Sequence, residues 1–559
     1  MRFKSPRAQF LRLWRGWLPR QTNRNARRQI EGELSRPRNR SLKDQNLAGS
    51  NLSGVSFDDI DLTRCRLNHA NLSFSNFEKA RHLSAEGLAG ADLRAATMPS
   101  SFKFDLDPTN DLLRNCRSLS ATLLISSIYM MIAAASTKDV DLLTASRKFT
   151  LPLVNAEVSL FGFYAFGPIA LILFGLFFYI VIGSAFDRLA RLPAVFPNGA
   201  LTDEAVAPWL TSELIRWRQP RLRRAITPTW ITRTTGAILL TWLIVPSTVA
   251  FIWLKYLKRH DAALTVFHVS MLALATLLSL NFLYSSVTGN RLSARVGIGL
   301  LALTGIVAVA PATYISSAVL QGGTLPQSVA FVLDRVGYKA NLDLVGAIVS
   351  RRPDNWSPFT DPQFQEVTGA DLARASLRNA DARHVFLARA NLTQADMRSA
   401  RLGRTRMQFA NLTEANGEGA VFDDADFRGA LLYGANFRKI QAARASFEAA
   451  TLRHTVLSSA ILEKATFKDA DLDDAHLDGA YLREARITST KMRQTDLRRA
   501  MLYEATLYAD LSGAKLDNAD IRGADLSQST GLTQDQLIST CMDKRTKLPV
   551  AIQPNQNVC

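Results

Sequence analysis

The hydrophobic pattern changes character along the chain, and each regime predicts a different architecture. Five segments are almost wholly apolar: 119–136, 159–184, 235–254, 264–287 and 296–320. None of them contains Asp, Glu, Lys or Arg. About twenty apolar residues cross the hydrocarbon core of a bilayer, so each segment predicts a spanning helix. Residues 101–325 therefore read as an α-helical transmembrane domain. Pro168, Pro246 and Pro311 lie inside these segments, where membrane helices tolerate a kink. His268 is the one candidate proton carrier at depth, and a lone His there more often bonds a neighbouring helix.

The C-terminal third has another period. From Leu372 to Leu507, 25 of the 28 positions spaced five apart are large and apolar, the exceptions being Ala382, Gly417 and Ala442. The register slips by one and continues at Leu511, Leu516, Ile521 and Leu526. The residue two before each is usually Ala, and the one between is often Asp or Asn, as in Ala370-Asp371-Leu372 and Ala390-Asn391-Leu392. A helix returns to one face after three or four residues and a strand after two, so neither explains a strict five. A large and a small inward position per five residues fit a chain that turns a corner at every repeat, with four corners to a square coil. Gly417, Ala382 and Ala442 predict underfilled inward positions and local thinning or bending of the stack. Ser529 to Leu537 predicts a short helix, N-capped by Thr533, closing the last coil.

This pattern resembles the pentapeptide-repeat family, whose motif is A(D/N)LXX. The resemblance covers 368–529 closely and implies a right-handed quadrilateral β-helix. Thirty-two repeats make eight coils, a rod roughly 38 Å long at a strand spacing of about 4.8 Å. A shorter copy precedes the apolar segments: Leu42, Leu47, Leu52, Phe57, Leu62, Leu67, Leu72 and Phe77 keep the step, His82 breaks it, and Leu88, Leu93 and Met98 resume it. Two and a half coils are marginal as an independent stack. The middle of the chain is similar to membrane-anchored bacterial members of the family, with Ser146-Arg147 to Leu160, Leu192 to Gly199 and Arg352 to Trp356 as shared landmarks.

Charge adds a direction. The 559 residues carry a formal net charge of +18. Residues 1–40 hold twelve Arg or Lys against Glu31 and Glu33. Phe10, Leu11, Trp14, Trp17 and Leu18 there fall on one helical face flanked by arginines, a basic amphipathic segment suited to an anionic membrane surface. Loop 185–234 carries Arg188, Arg191, Arg216, Arg218, Arg221, Arg223, Arg224 and Arg233, and Arg291 and Arg295 follow the fourth segment. The positive-inside rule puts both loops, and the N-terminus, in the cytoplasm of a bacterial inner membrane. Five spans then put the long repeat block outside. Lys255, Lys258 and Arg259 run against that orientation, because they occupy a loop that should be external. A second argument also opposes it: the short N-terminal stack would gain a core by docking on the long one, which needs both on one side.

The resulting organisation is a basic segment 1–40, a short stack 41–100, spans within 101–325, a linker 326–365, a repeat β-helix 366–529 and a capping tail 530–559. The expected function is a membrane-tethered scaffold whose rod faces bind an unidentified protein, with the lipid bilayer as the other partner. A channel, transporter or membrane-associated regulator is the alternative, weakened by the uncharged spans. Over 366–529 there are 23 basic and 23 acidic residues, so the strong negative field that a duplex-mimicking topoisomerase inhibitor needs is missing, and nucleic acid is not the expected partner. The seven His residues form no ligand-spaced pair, and no phosphate loop, HExxH or GxSxG occurs. No enzyme activity, catalytic residue, metal or cofactor is expected. Cys65, Cys116, Cys541 and Cys559 are far apart, which argues against a disulfide framework or a cysteine zinc site.

Overall fold

The structure is a computed structural model that describes residues 41–144, 148–150, 157–207, 209, 212–219, 222, 228–259, 261–289, 293–320 and 342–553. The basic segment 1–40 lies outside the described residues, as do several arginines of loop 185–234 and most of the stretch that follows the last apolar segment. The chain forms two compact units. One comprises Met1–Ile132, Phe166–Ile252 and Phe267–Ala312; the other comprises Ala133–Ala165, Trp253–Val266 and Thr313–Cys559.

In the first unit the N-terminal repeats coil as the step of five requires. Leu42, Leu47, Leu52, Phe57, Leu62, Leu67, Leu72 and Phe77 are at most 2% exposed. Parallel bridges join Ser41 to Asp61 and Asp61 to Arg81. The Phe57 and Phe77 rings stack at 4.6 Å. Where His82 breaks the step, Glu86–Leu88 makes a 3-10 turn, and Leu88 refills the core. The last coil does not end on an open edge. Asp92 bridges Val195, and Gly90, Leu93 and Ala95 donate their amides to the carbonyls of Leu192, Val195 and Pro197. The Leu192–Gly199 landmark is thus an edge cover for the small stack, supplied by the chain just after the second apolar helix. The last coil of the stack gains an edge cover here.

Among the described residues five helices are long and apolar enough to cross a membrane: α1 Asp107–Ala135, α2 Leu160–Arg191, α3 Pro228–Leu257, α4 Ala262–Thr288 and α5 Arg295–Val319. Each contains one of the expected segments. Within the first unit α2 packs closely on α3, since a Cβ at Gly175 would lie 3.1 Å from Val245 Cγ2. Pro246 removes the donor that would have served the Trp242 carbonyl. The preceding turn, Leu239–Leu243, is a π-helix, and the Tyr179 hydroxyl on α2 donates to that carbonyl at 3.2 Å and bonds Ser279 Oγ on α4 at 3.0 Å. A second π turn, Gly305–Val309, precedes Pro311. Ile125, Phe166, Leu173, Phe177, Ile298 and Ile306 are all more than half exposed, an apolar outer belt of the kind lipid covers.

The second unit holds a short antiparallel pair, β1 Lys148–Thr150 with β2 Glu157–Ser159, and the long rod. Each pentapeptide of the rod solves the same local problem. Taking Leu372 as central, the Ala375 amide donates to the Leu372 carbonyl at 3.0 Å and closes a turn. Arg374 sits at φ +59°, the left-handed third position of that turn. Non-glycine residues there cost about 1–2 kcal/mol each, offset by ladder bonds to the next coil, as from Leu372 to Asn391 at 2.7 Å and from Asn391 back to Ala370 at 2.8 Å. The recurring Asp or Asn has a local reason. Its side-chain oxygen accepts the amide two residues on, Asp371 from Ala373 at 3.2 Å and Asn391 from Thr393 at 3.3 Å. Where Ser or Thr replaces the small Ala, its hydroxyl donates to a carbonyl one coil back, as Thr455 does to Leu432 at 2.7 Å and Thr495 to Leu472 at 2.9 Å. Phe427, Phe447 and Phe467 stack at 4.9 Å along the axis, close to the strand spacing.

Two expectations about this rod are corrected. Its inward positions are not underfilled. A Cβ at Gly417 would lie 2.9 Å from the Phe437 ring and 3.4 Å from that of Phe422, so large neighbours already occupy the space. At Ala442 the sizes are exchanged within the repeat, because Ile440 stands in the small slot and both are fully buried. Beside Ala382 the next small slot holds Val385, also fully buried. The expected short helix is present, as a 3-10 turn, but Thr533 is not its N-cap and it does not end the rod. Asp535–Leu537 is a 3-10 turn, Thr533 donates its amide and hydroxyl to Gln536 Oε1, and Gln536 Nε2 staples the turn to the carbonyls of Leu511 and Ala514. Leu537 fills the core and the chain re-enters the coil, with Cys541 bridging Asp520 and Lys547 bridging Asp525.

Candidate interaction faces of the rod

A square coil exposes four ladders, and their outward residues differ although the inward ones do not. Three of the ladders are polar through most of their length. One runs Asp371, Asn391, Asn411, Leu431, Thr451, Asp471, Lys491; another runs Arg406, Asp426, Ser446, Thr466, Arg486; a third runs Asp396, Asn416, Asn436, Val456, His476, Asp496. The fourth runs Arg401, Val421, Gln441, Ile461, Tyr481, Met501. Ile461, Tyr481 and Met501 are 38%, 41% and 44% exposed, three consecutive rungs of uncovered apolar surface. Sequence reasoning passed over them because it followed the inward step of five; the signal is an outward step of twenty.

Charges dress these faces in pairs. Asp381–Arg383, Asp396–Arg398, Asp426–Arg428, Asp496–Arg498 and Asp520–Arg522 each place an Asp and an Arg two residues apart, with contacts of 2.5–2.8 Å. Hydrogen bonding from Arg498 holds the Asp496 carboxyl below the usual range, and Arg383 and Arg522 do the same for Asp381 and Asp520. For Asp525 burial pushes upward, but bonds from Ser527 and the Lys547 ammonium win and bring it to about 2. Gly403 leaves an open hollow of about 330 Å³ lined by Arg383, His384, Arg401, Arg404, Asp423 and Asp424. Its bases and acids are partly paired, with Arg404 3.7 Å from Asp424 and Arg444 2.6 Å from the same carboxylate. Among the described residues no group of three or more His, Cys, Asp or Glu could hold a metal ion.

At the start of the rod the chain leaves the coil and returns, with Arg351 bridging Thr368. This excursion carries the Arg352-to-Trp356 landmark. Trp356 and Phe364 pack on Phe386, an outward residue of the first complete coils, and Arg352 lies over the Trp356 and Phe386 rings. Asp361 anchors the excursion by accepting from Trp356 Nε1 at 3.1 Å and from the Gln365 and Glu366 amides at 2.8 Å.

Two more features were not legible beforehand. Lys258, one of the bases that ran against the expected orientation, is 9% exposed and bonds both oxygens of Asp139 at 3.0 and 3.2 Å. Asp139 Oδ2 also accepts the Asp343 amide at 2.8 Å, at the first turn of the rod. Cys541 is disulfide-bonded, whereas Cys65 and Cys116 are free and buried.

Comparison with known proteins agrees with the coil geometry. The description "Pentapeptide repeats" matches in eight copies, over residues 46–81, 370–408, 400–438, 443–479, 480–508 and 507–530. No curated protein matches the chain at a significant level. Among solved structures, HetL, a pentapeptide repeat protein involved in heterocyst differentiation regulation in the cyanobacterium Nostoc, is 21% identical over 40% of this chain and 92% of its own, with a TM-score of 0.20. QnrB1, a plasmid-mediated fluoroquinolone resistance protein, is 17% identical over 30% of this chain and 89% of its own, with a TM-score of 0.19. A pentapeptide repeat protein of the Arabidopsis thaliana thylakoid lumen is 20% identical over 25% of this chain and 73% of its own, with a TM-score of 0.11. With its stacked coils, its A(D/N)L register and the two matched blocks on either side of the apolar helices, the chain is a member of the pentapeptide-repeat family.

Proposed function

We propose that this protein is a non-enzymatic, membrane-tethered interaction scaffold. Its five apolar helices span the bilayer, its N-terminal stack is cytoplasmic, and its long rod presents protein-binding faces outside the cytoplasm. The scaffold reading rests chiefly on one observation, the uncovered rungs Ile461, Tyr481 and Met501 set among charged columns, a composition typical of protein interfaces. Photocrosslinking tests it: a photoreactive residue at Tyr481 should capture a protein in living cells, and one at Thr451 on the opposite ladder should not. Equal labelling at both positions, or none at either, sinks the reading.

Redox chemistry supports the sidedness. Disulfides persist in oxidising compartments and are rare in the cytosol. The bonded Cys541 belongs to the rod unit and the free Cys65 and Cys116 to the other. Burial pushes the Cys65 thiol up to about 11, so it stays protonated and inert at neutral pH. Of the three bases that oppose an external loop, Lys258 is held by Asp139 within the same unit. Alkaline phosphatase fused after Cys559 should be active; a fluorescent cytoplasmic fusion there would overturn the sidedness.

A further inference from the structure

Symmetry gives the apolar ladder a specific partner. Two outward columns follow Ile461 and Tyr481 in each repeat, two and three residues on, at the adjoining corner of the coil. The nearer reads Glu463 then Arg483, and the farther reads Lys464 then Glu484, on successive coils. In each column the charge reverses from one coil to the next. From this reversal we propose that the rod pairs with a second copy of itself, face to face and antiparallel, about a two-fold axis between the Ile461 and Tyr481 rungs.

The argument is geometric. A two-fold axis lying across the face, perpendicular to the rod, reverses the order of coils and keeps each column opposite its own counterpart. Ile461 then faces Tyr481 of the partner subunit, and Gln441 faces the partner's Met501. Glu463 meets the partner's Arg483, and Lys464 meets the partner's Glu484. Every charged contact at the centre is opposite in sign and occurs twice, as an isologous interface requires. An axis along the rod does the reverse. It keeps the coils in step and, placed between the two charged columns, also opposes Glu463 to Lys464 and Arg483 to Glu484, but it carries the apolar column off itself. The antiparallel arrangement pairs the charges and keeps the apolar column on itself as well. Two copies in one bilayer keep that symmetry when the axis runs along the membrane normal.

The same charges also pair within one chain, Lys464 with Glu484 at 3.4 Å and Arg483 with Glu484 at 3.3 Å. Cross-coil pairing alone would account for the pattern, so the test must separate the two. The full-length chain is coexpressed with two affinity tags and purified in mild detergent. Wild-type copies should co-purify. Lys464→Glu alone puts like charges opposite each other twice, as does Glu484→Lys alone. Self-pairing of either variant should fall about tenfold. The Lys464→Glu copy should pair with the Glu484→Lys copy as well as wild type pairs with itself, which also demonstrates that both variants are folded. Tyr481→Ser should weaken pairing in every combination.

The inference rests on the rod being an interaction surface and names what binds one face. Wild-type copies that do not co-purify overturn it, while photocrosslinks from Tyr481 to another protein would leave the scaffold reading standing. Pairing that survives all three substitutions runs through another surface and overturns it equally. A charge-swapped mixture that fails to pair reduces the charge pattern to an intrachain feature.

Discussion

Replacing Gly417 with Leu separates the pattern from the packing. By pattern, Gly417 is a vacant large slot and Leu restores the family residue, so the change should stabilise. By structure the slot is occupied. The first added carbon would already lie 2.9 and 3.0 Å from Phe437 ring atoms and 3.4 Å from Phe422. Those rings belong to a run in which Phe422 stacks on Phe437 at 5.3 Å and Phe427 on Phe447 at 4.9 Å, and all are fully buried. A Leu side chain adds three more carbons to that space, and overpacking of this kind costs about 1–3 kcal/mol. Phe437→Ala alone opens a cavity and should cost about 3–5 kcal/mol. The double variant should cost less than the sum by about 1–3 kcal/mol, because each change relieves the other. Hydrogen exchange of ladder amides around Asn436 and Val456, measured on the detergent-solubilised chain, reads the local stability. A Gly417→Leu variant as stable as wild type, or strict additivity with Phe437→Ala, refutes the packing argument.

Other outcomes follow from single contacts. Tyr179→Phe deprives the Trp242 carbonyl of the donor that substitutes for the amide lost at Pro246, and should cost about 1 kcal/mol in thermal unfolding in detergent; no change in melting temperature contradicts that role. Asp139→Ala removes the carboxylate that binds the buried Lys258 ammonium and should cost about 3–5 kcal/mol, whereas Asp139→Ala with Lys258→Met should recover most of it, as unfolding in detergent can check. Asp381, Asp496, Asp520 and Asp525 bind protons less readily folded than unfolded, so they stabilise the rod fully above about pH 4. That contribution should vanish as the pH falls from about 3.8 toward 2, and rod unfolding that begins near pH 6 would assign acid sensitivity elsewhere.

How much of this was readable in advance depends on the range of the interaction. The coil was legible because its determinants are local. Leu fills the core, Ala gives it room, and Asp or Asn accepts the amide two residues on, so every repeat restates the rule. The apolar helices were legible for the same reason, since length and the absence of charge act residue by residue. What escaped was pairing between distant positions. Gly417 reads as a hole only when Phe437, one coil later, is ignored. Thr533 reads as an N-cap only when the Gln536 side chain is free to leave it. Lys258 reads as a misplaced external charge until Asp139 arrives from a different loop. The apolar ladder lay in plain sight, but on the outward period of twenty rather than the inward period of five.

These long-range contacts bear on one question, the placement of the two stacks. The case for a common side rested on the small stack lacking a core of its own. Val195 and its neighbours cover the last coil of that stack through the main chain, with amides of Gly90 and Leu93 bonded at 2.8 and 3.0 Å. The case against an external rod also cited the bases after the third helix; Lys258 among them is paired with Asp139, which in turn holds the Asp343 amide, while Lys255 and Arg259 still weigh against it. An odd number of crossings then agrees with the sorting of cysteines, thiols in one unit and a disulfide in the other. Replacing Cys541 with Ser tests this without a fusion. In the wild type, a thiol reagent applied after denaturation should label Cys541 only once the protein has been reduced. If Cys541 is labelled without reduction in freshly lysed cells, the rod folds in a reducing compartment and the five-span topology fails.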